Sequence, residues 1–219
     1  MIEYASLAEW VAQEAIPFSP NSPASCDPAI DRLLSTLGDS VQLLGLGEPM
    51  HGCEKHLQCR NRFFQRLVQA HGYSAIAIES SFPRGHAVNE FVAGRGPASY
   101  DTIQESGFSH GWGRLEANRE LVEWIRHHNA DAEHRVNVRF YGFDSPTEMF
   151  GTDSPRGVLR FVLDYLASLD GEGGAERRER IESLLGADAD WENPAASMDP
   201  SAGIGRSAAA SALRIETEE

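Results

Sequence analysis

The sequence has 219 residues, a formal net charge of −14 and 41% apolar residues. A chain of this length buries about 70% of the surface that its unfolded form exposes, so we expect a folded core and exclude wholesale disorder. A negative field repels phosphate groups, and glutamates interrupt the densest basic stretch, at residues 177–180. We therefore expect no nucleic-acid partner and no membrane partner.

The N-terminus and the cysteines indicate a cellular location. Met1–Tyr4 lacks the basic start and apolar stretch of a secretory signal, and no apolar run reaches the roughly 20 residues that span a bilayer. Cys26, Cys53 and Cys59 are odd in number and irregularly spaced, which suits neither a disulfide framework nor a zinc site. We expect a cytoplasmic protein with no structural metal and no cofactor in residues 1–219.

Helices and buried strands alternate along the sequence. In chain order, periodicity predicts helices at 3–14 and 29–37, a strand at 41–46, a helix at 54–70, a strand at 74–78, a helix from Pro83 to Gly94 and Gly96, a helix at 114–128, a strand at 136–143 and a helix at 156–169. A glycine-rich stretch at 170–174 precedes a helix at 176–186, a segment rich in small residues and a last helix from about 206.

This order of elements predicts the architecture. Right-handed crossovers between successive strands give a mostly parallel sheet flanked by helices, in a three-layer α/β/α arrangement. We divide the sequence into an α/β core at residues 1–170 and a helical and loop extension at residues 171–219.

Polar residues follow each predicted strand at its carboxyl end, where open parallel sheets bind their ligands. Glu48 and His51 follow the first strand, Glu79 ends the second and Asp144 ends the third. Each carboxylate taken alone also fits a helix N-cap or a solvated turn, and both interpretations stay open for Asp144. Because Glu48 and Glu79 recur together with His51, we expect these groups to share one crevice.

The helix at 54–70 adds an arginine to this group. Its predicted apolar face consists of Leu57, Phe64, Leu67 and Val68. Arg60 and His56 fall inside the same arc. A buried arginine is costly unless carboxylates pair with it, which predicts contact with Glu48 or Glu79. The alternative is that the aliphatic part of Arg60 is buried while its guanidinium group reaches solvent.

Other catalytic motifs are absent from the sequence. Ser80 and Ser81 follow a strand, but there is no G-x-S-x-G elbow, no P-loop and no G-x-G-x-x-G. The remaining histidines lack the spacing of metal ligands. The sequence therefore lacks the local signature of a serine nucleophile and of a nucleotide-binding loop.

Five motifs, in order, resemble those of the erythromycin esterase family. They are Gly47-Glu48-Pro49-Met50-His51-Gly52 (its G-E-x-x-H-G motif), Arg60 on the following helix, Ile78-Glu79 on the second strand, Phe108–Asn129 (its central helix) and Arg139–Asp144 on the third strand. The resemblance extends over residues 40–170 and, more loosely, to the end of the sequence.

The resemblance implies hydrolysis of a carboxylic ester or a macrolide lactone, and with it antibiotic resistance. His51 would be the general base that activates water. Glu48 and Glu79 would orient the imidazole and the water, and Arg60 would hold the glutamates or steady the oxyanion. We expect the substrate to be bound by His56, His110, Trp112 and Asp144.

The resemblance also implies that the second half of the family domain is missing. Members of this family are longer and contribute a further histidine from their second half, so we expect a truncated chain that self-associates and leaves Leu213 and Ile215 uncovered. Two other functions stay open: a metal- or haem-binding module built on the carboxylates and histidines, and an inactive remnant of the fold. An inward Arg60 would compete with a metal ion, which favours the hydrolase.

Overall fold

The computed structural model describes residues 4–38, 40–145, 147–148, 151–169 and 174–218. Its α-helices, in chain order, are α1 (Leu7–Glu14), α2 (Pro23–Leu37), α3 (Glu54–His71), α4 (Phe82–Val92), α5 (Tyr100–Ile103), α6 (Glu116–Ala130), α7 (Arg156–Leu169), α8 (Gly174–Leu185), α9 (Asp188–Trp191) and α10 (Ala208–Glu218). Its strands are β1 (Ala75–Ser81), β2 (Arg139–Asp144), β3 (Thr147–Glu148) and β4 (Gly151–Thr152). Short 3-10 turns lie at Trp112–Arg114, Pro194–Ser197, Pro200–Ala202 and Ile204–Arg206. No helix among these residues is both long and apolar enough to cross a lipid bilayer.

The sheets are small. β1 and β2 pair in a parallel sheet, and β3 pairs with β4 in an antiparallel hairpin. The fold is therefore α/β and rich in helix. This confirms the predicted α/β class with a parallel sheet. The chain divides into two compact units, the first formed by residues 1–76 and 114–139 and the second by residues 77–113 and 140–219. The division at residue 170 stays a prediction.

Helix α3 is central to the first unit because three of the four residues of its predicted apolar face, Leu57, Phe64 and Leu67, are buried, while Val68 is partly exposed. Leu67 packs with Cys26 and Ile30 of α2, and all three side chains are at most 4% exposed. Phe64 meets Trp124 of α6 edge to face, with ring centroids 6.1 Å apart. Burial of each such side chain stabilises the fold by about 1.5–3 kcal/mol. These contacts hold α2 and α6 against α3.

The predicted strand at 41–46 is wrong. These residues follow an irregular path, and Leu43 is 90% exposed. A strand of this apolar type needs neighbouring strands and a covering layer on both faces. In the described chain the parallel sheet consists of β1 and β2 alone. The segment is held instead by Leu44, which packs beside α2 and α3, and by Tyr73, whose hydroxyl donates to the Val41 carbonyl at 3.3 Å.

An ion cluster joins α2 to α3 and makes the first unit sensitive to acid. Arg66 donates to both carboxylate oxygens of Asp31, at 2.9 and 2.6 Å, and His71 Nε2 lies 2.8 Å from the same group. The Arg66 hydrogen bonds, helped by His71, lower the pKa of Asp31 to about 2. A carboxyl with a depressed folded pKa stabilises the fold above its unfolded pKa of about 3.9, and this stability is lost as pH falls towards 2.

We expect Asp31→Asn to flatten this part of the acid unfolding profile. At pH 7 the variant should be less stable by about 1 kcal/mol, since the pair is partly exposed and screened. The difference from the original protein should shrink between pH 4 and pH 2. Urea unfolding at a series of pH values measures it, with the exposed acid Asp190→Asn as the matched control. A difference that stays constant down to pH 2 would refute the assignment.

The second unit has two apolar centres. Around β2, Phe108 lies between Tyr100 and Phe140, with ring centroids 6.2 and 5.7 Å away. Helices α7, α8 and α10 form the other centre, whose buried side chains are Leu163, Ile181, Leu185 and Leu213. The prediction that Leu213 is uncovered is therefore wrong, because α7 and α8 cover it. Ile215 is 61% exposed, as predicted.

Candidate functional site

Glu48 and His51 form a pair in the segment that leads into α3. His51 Nδ1 lies 3.6 Å from a carboxylate oxygen of Glu48, and the two side chains are 63% and 27% exposed. Gly52 has a φ of 69°, a left-handed conformation that suits glycine and turns the chain into the helix. The imidazole is thus both accessible and close to a carboxylate. This arrangement suits a general base whose ring is oriented by a neighbouring carboxylate.

Arg60 lies on α3, partly buried, as its helical position predicts. Its Nη2 donates to the side-chain oxygens of Asn61 and Asn118, at 2.8 Å each, and its Nε donates to Asn61 at 3.2 Å. These direct acceptors are amides, whereas the sequence predicted a carboxylate. Burial lowers the pKa of Arg60 to about 10, and the charge of Glu48 opposes this effect. At neutral pH Arg60 is therefore a cation held in a fixed position near Glu48.

The start of α6 explains how this position is fixed. Leu115, which precedes α6, has no side chain that can cap the helix. Glu54 of α3 does this instead, because its carboxylate accepts from the backbone N–H groups of Glu116 and Ala117 at 2.9 and 2.8 Å. A carboxylate is favourable at this positive end of the helix dipole. The cap holds α6 against α3, and so keeps Asn118 within reach of Arg60.

Sequence reasoning missed this support. Asn61 and Asn118 are only 4% and 2% exposed, and Asn61 Nδ2 donates to the Ala117 carbonyl at 2.6 Å. Two signals were available in the sequence. The first was asparagine within the buried stripe of a helix. The second was a helix start without a capping residue, which requires an acceptor from elsewhere.

The predicted inward position of His56 is wrong. His56 is exposed on α3, although the next residue, Leu57, is 4% exposed. Successive residues are about 100° apart around a helix, so His56 lies just beyond the edge of the buried stripe. Its part in substrate binding stays a prediction.

In the second unit, Glu79 lies on β1 between two buried residues. Ile78 and Ser80 are 7% and 0% exposed, whereas Glu79 is partly exposed. The strand therefore holds the backbone of Glu79 firmly and leaves its carboxylate accessible. The strand continues two residues beyond Glu79, so this residue lies near, rather than at, the carboxyl end where parallel sheets bind their ligands.

His110, Trp112 and Asp144 lie together in the second unit. His110 Nε2 is 3.5 Å from a carboxylate oxygen of Asp144, and their side chains are 28% and 26% exposed. The His110 and Trp112 rings meet edge to face with centroids 6.1 Å apart. His110 has a φ of 56°, a left-handed conformation that costs a non-glycine residue about 1–3 kcal/mol. Such strain persists where the surrounding structure holds a residue in place.

The structure thus places the predicted residues in two groups. The first unit holds Glu48, His51 and Arg60. The second unit holds His110, Trp112 and Asp144, which are three of the four residues predicted to bind the substrate. The convergence of Glu79 with His51 and Arg60 stays a prediction.

Comparison with known proteins relates this arrangement to a family. A protein of Escherichia coli named erythromycin esterase type II is 27% identical over 165 residues, which are 75% of this chain and 37% of that protein. A crystal structure of a Bacillus cereus protein has a TM-score of 0.67 at 18% identity, over 96% of this chain and 53% of that one. A crystal structure of a succinoglycan biosynthesis protein has a TM-score of 0.65 at 23% identity, over 81% of this chain and 42% of that one.

The family model named erythromycin esterase matches residues 68–216. The chain spans 37% to 53% of the length of the relatives described above. The matched range includes the strand that carries Glu79 and the group around His110, whereas Glu48, His51 and Arg60 precede it. Because the match extends over more than half of the 219 residues, the chain belongs to the erythromycin esterase family.

Proposed function

We propose that the protein is a hydrolase that cleaves a carboxylic ester or a macrolide lactone by direct attack of water. The observation that carries the proposal is the pair formed by His51 and Glu48, 3.6 Å apart. Family membership supports the reaction class. The sequence has no G-x-S-x-G elbow, which agrees with a water nucleophile.

In the proposed mechanism His51 is the general base. It takes a proton from water as the oxygen attacks the carbonyl carbon, which gives a tetrahedral oxyanion. The bond to the alcohol oxygen then breaks, and the proton passes from His51 to the leaving oxygen. The carboxylate of Glu48 stabilises the imidazolium between these two steps. Glu79 acts with Glu48 to orient the imidazole and the water.

Arg60 is proposed to stabilise the oxyanion or to hold the two glutamates in place. Its Nε and Nη2 are occupied by Asn61 and Asn118, but its Nη1 donates no hydrogen bond to any residue that the structure describes. A fixed cation with a spare donor in a partly buried position stabilises developing negative charge better than water does. This availability supports Arg60 as more than a structural residue.

The group in the second unit is proposed to bind the substrate. Trp112 offers an aromatic face for the apolar ring of a lactone, while His110 and Asp144 offer polar atoms for its oxygens. His56 adds a further exposed polar group. The choice of a macrolide as substrate is supported by the name of the Escherichia coli relative.

Incubation with an activated ester and with a macrolide tests the proposed reaction. The product of lactone hydrolysis is heavier than the substrate by one water, and in labelled water the new oxygen appears in the carboxylate. We expect both results by mass spectrometry. Failure to convert either class of ester would contradict the proposal.

A metal-binding function is the second candidate, because a carboxylate and an imidazole in close contact also suit a divalent cation. The Glu48 and His51 pair favours it, whereas the charge of Arg60 opposes it. Elemental analysis of the purified protein separates the two functions. Stoichiometric metal that is lost in Glu48→Gln would favour the binding function, and turnover that survives chelation would favour the hydrolase.

We further propose that the chain self-associates through the apolar face of α7. Phe161, Tyr165 and Leu169 are spaced four residues apart and are 65%, 60% and 62% exposed. Residues with this spacing share one side of a helix. An apolar stripe of this size gains stability when another surface covers it.

Substitution of these three residues by serine should remove this association. We expect the original chain to shift towards larger species as its concentration rises, and the triple variant to keep a monomer mass by light scattering. Leu43→Ser, at a residue that is 90% exposed outside any helix, is the control. Identical masses for the original chain and the triple variant at every concentration would refute the α7 interface.

Two other features belong to the proposal. The first is a three-layer arrangement, with helices on both faces of the parallel sheet. Apolar parallel strands require such cover because both of their faces must be buried. The second is a reducing compartment such as the cytoplasm, which the free thiols of Cys26, Cys53 and Cys59 support.

A further inference from the structure

Three buried serines lie beneath the site residues of the second unit. Ser80 and Ser81 end β1, Ser109 precedes His110, and the three are 0%, 1% and 0% exposed. We call them the serine cluster. The backbone N–H of Ser109 donates to Ser80 Oγ at 3.0 Å, and the backbone N–H of Ser81 donates to Ser109 Oγ at 2.9 Å. The Ser80 and Ser109 hydroxyl oxygens are 3.3 Å apart.

These bonds fix the chain immediately before His110. Both the backbone N–H and the hydroxyl of Ser109 are bound to the end of β1. His110 then adopts its left-handed conformation, with a φ of 56°. A non-glycine residue keeps such a conformation only where its neighbours hold it there. Since the bonds are buried, breaking one would leave an unpaired polar group with no solvent to replace its partner.

The end of β1 that carries Ser80 and Ser81 also contacts the strand that carries Asp144. A Cβ added to Gly142 would lie 2.3 Å from the Ser80 carbonyl oxygen and 2.5 Å from that of Ser81. The backbone of β2 therefore lies directly against the backbone of Ser80 and Ser81, two residues before Asp144. The end of β1 thus contacts the chain next to both partners of the 3.5 Å contact between His110 and Asp144, and the serine hydroxyls hold the His110 side of it.

We propose that Ser80 and Ser109 are positioning residues that hold His110 against Asp144. The role of the held pair in substrate binding rests on the proposed function, but the holding itself does not. Ser81 does not share this role through its side chain. Its hydroxyl is buried and makes no hydrogen bond within the described residues.

This difference supplies a matched control. Ser109→Ala removes the acceptor for the Ser81 N–H, and Ser80→Ala removes the acceptor for the Ser109 N–H. Ser81→Ala removes a hydroxyl of equal burial from the same strand end without loss of a hydrogen bond. If Ser109→Ala fails to fold, Ser80→Ala tests the same connection, because it leaves the hydroxyl of Ser109 in place.

The first readout is independent of activity. The imidazole proton resonance of His110, assigned with His110→Gln, is measured by NMR with and without Asp144→Asn. We expect Asp144→Asn to move this resonance in the original protein and in Ser81→Ala, but to have little effect in Ser109→Ala or Ser80→Ala. An equal displacement in all four backgrounds would overturn the proposal.

The second readout is kinetic. If the held pair binds substrate, Ser109→Ala should raise KM about tenfold with little change in kcat, and it should have no further effect in a His110→Gln background. A purely structural role would lower activity in both backgrounds. Should the original protein hydrolyse no ester, the proposed function fails, while the NMR comparison still decides whether the serines position His110.

Discussion

Replacement of His51 by alanine should lower ester turnover by about 10²- to 10⁴-fold and leave the fold intact. The large effect follows from the proposed role, because water is a poor nucleophile unless a base removes its proton. We expect little change in stability because the His51 side chain is 63% exposed and fills no core position. Loss of a surface imidazole typically changes stability by no more than about 0.5 kcal/mol.

The control for this experiment is His127→Ala. His127 is also exposed, in the last turn of α6, and it lies outside the proposed site. We expect its turnover to match that of the original protein, measured on the same activated ester at the same pH. Unfolding temperatures should agree among all three proteins. Turnover within twofold of the original in His51→Ala would remove His51 from the mechanism.

The sequence was sufficient for local features of the site. The spacing of Glu48 and His51 and the helical stripe that carries Arg60 involve neighbours within one or two turns, so the pattern of residues predicts them. Partners that are distant in the sequence were less accessible. Arg60 was predicted to contact a carboxylate, but its acceptor from the distant helix is Asn118, 58 residues away. No local pattern identifies such a partner, because the packing of two helices decides it.

Tertiary context also explains the wrong strand. The segment at 41–46 has the apolar composition of a buried strand, but composition reports only that a residue can be buried. Whether it is buried depends on the neighbours that the fold provides, and Leu43 remains 90% exposed. For β1 and β2 the same pattern succeeded, since those segments pair with each other. Residue type thus identified candidate strands, and pairing selected among them.

Gly142→Ala should have a large effect on stability. The new methyl group would lie 2.3 and 2.5 Å from the carbonyl oxygens of Ser80 and Ser81, and real Cβ atoms do not approach backbone so closely. The obstacle is strand backbone rather than a flexible side chain, so relief requires β1 and β2 to move apart. Overpacking of this kind costs about 3 kcal/mol, and more where the backbone cannot shift. For a chain of this size, the unfolding temperature should fall on the order of 10 °C.

A second glycine shows that the effect is one of position. Gly157 lies in α7, and a Cβ added there meets no atom within 4 Å. Gly157→Ala should therefore stabilise the protein by about 0.5–1 kcal/mol, because alanine loses less conformational freedom in a helix than glycine does. Thermal unfolding of both variants measures the contrast. Since β2 also carries Asp144, Gly142→Ala should weaken substrate binding in the molecules that still fold, whereas Gly157→Ala should not. If both variants unfold within a degree of the original protein, the close approach of β2 to β1 at Gly142 is wrong, and with it the physical basis for the placement of Asp144.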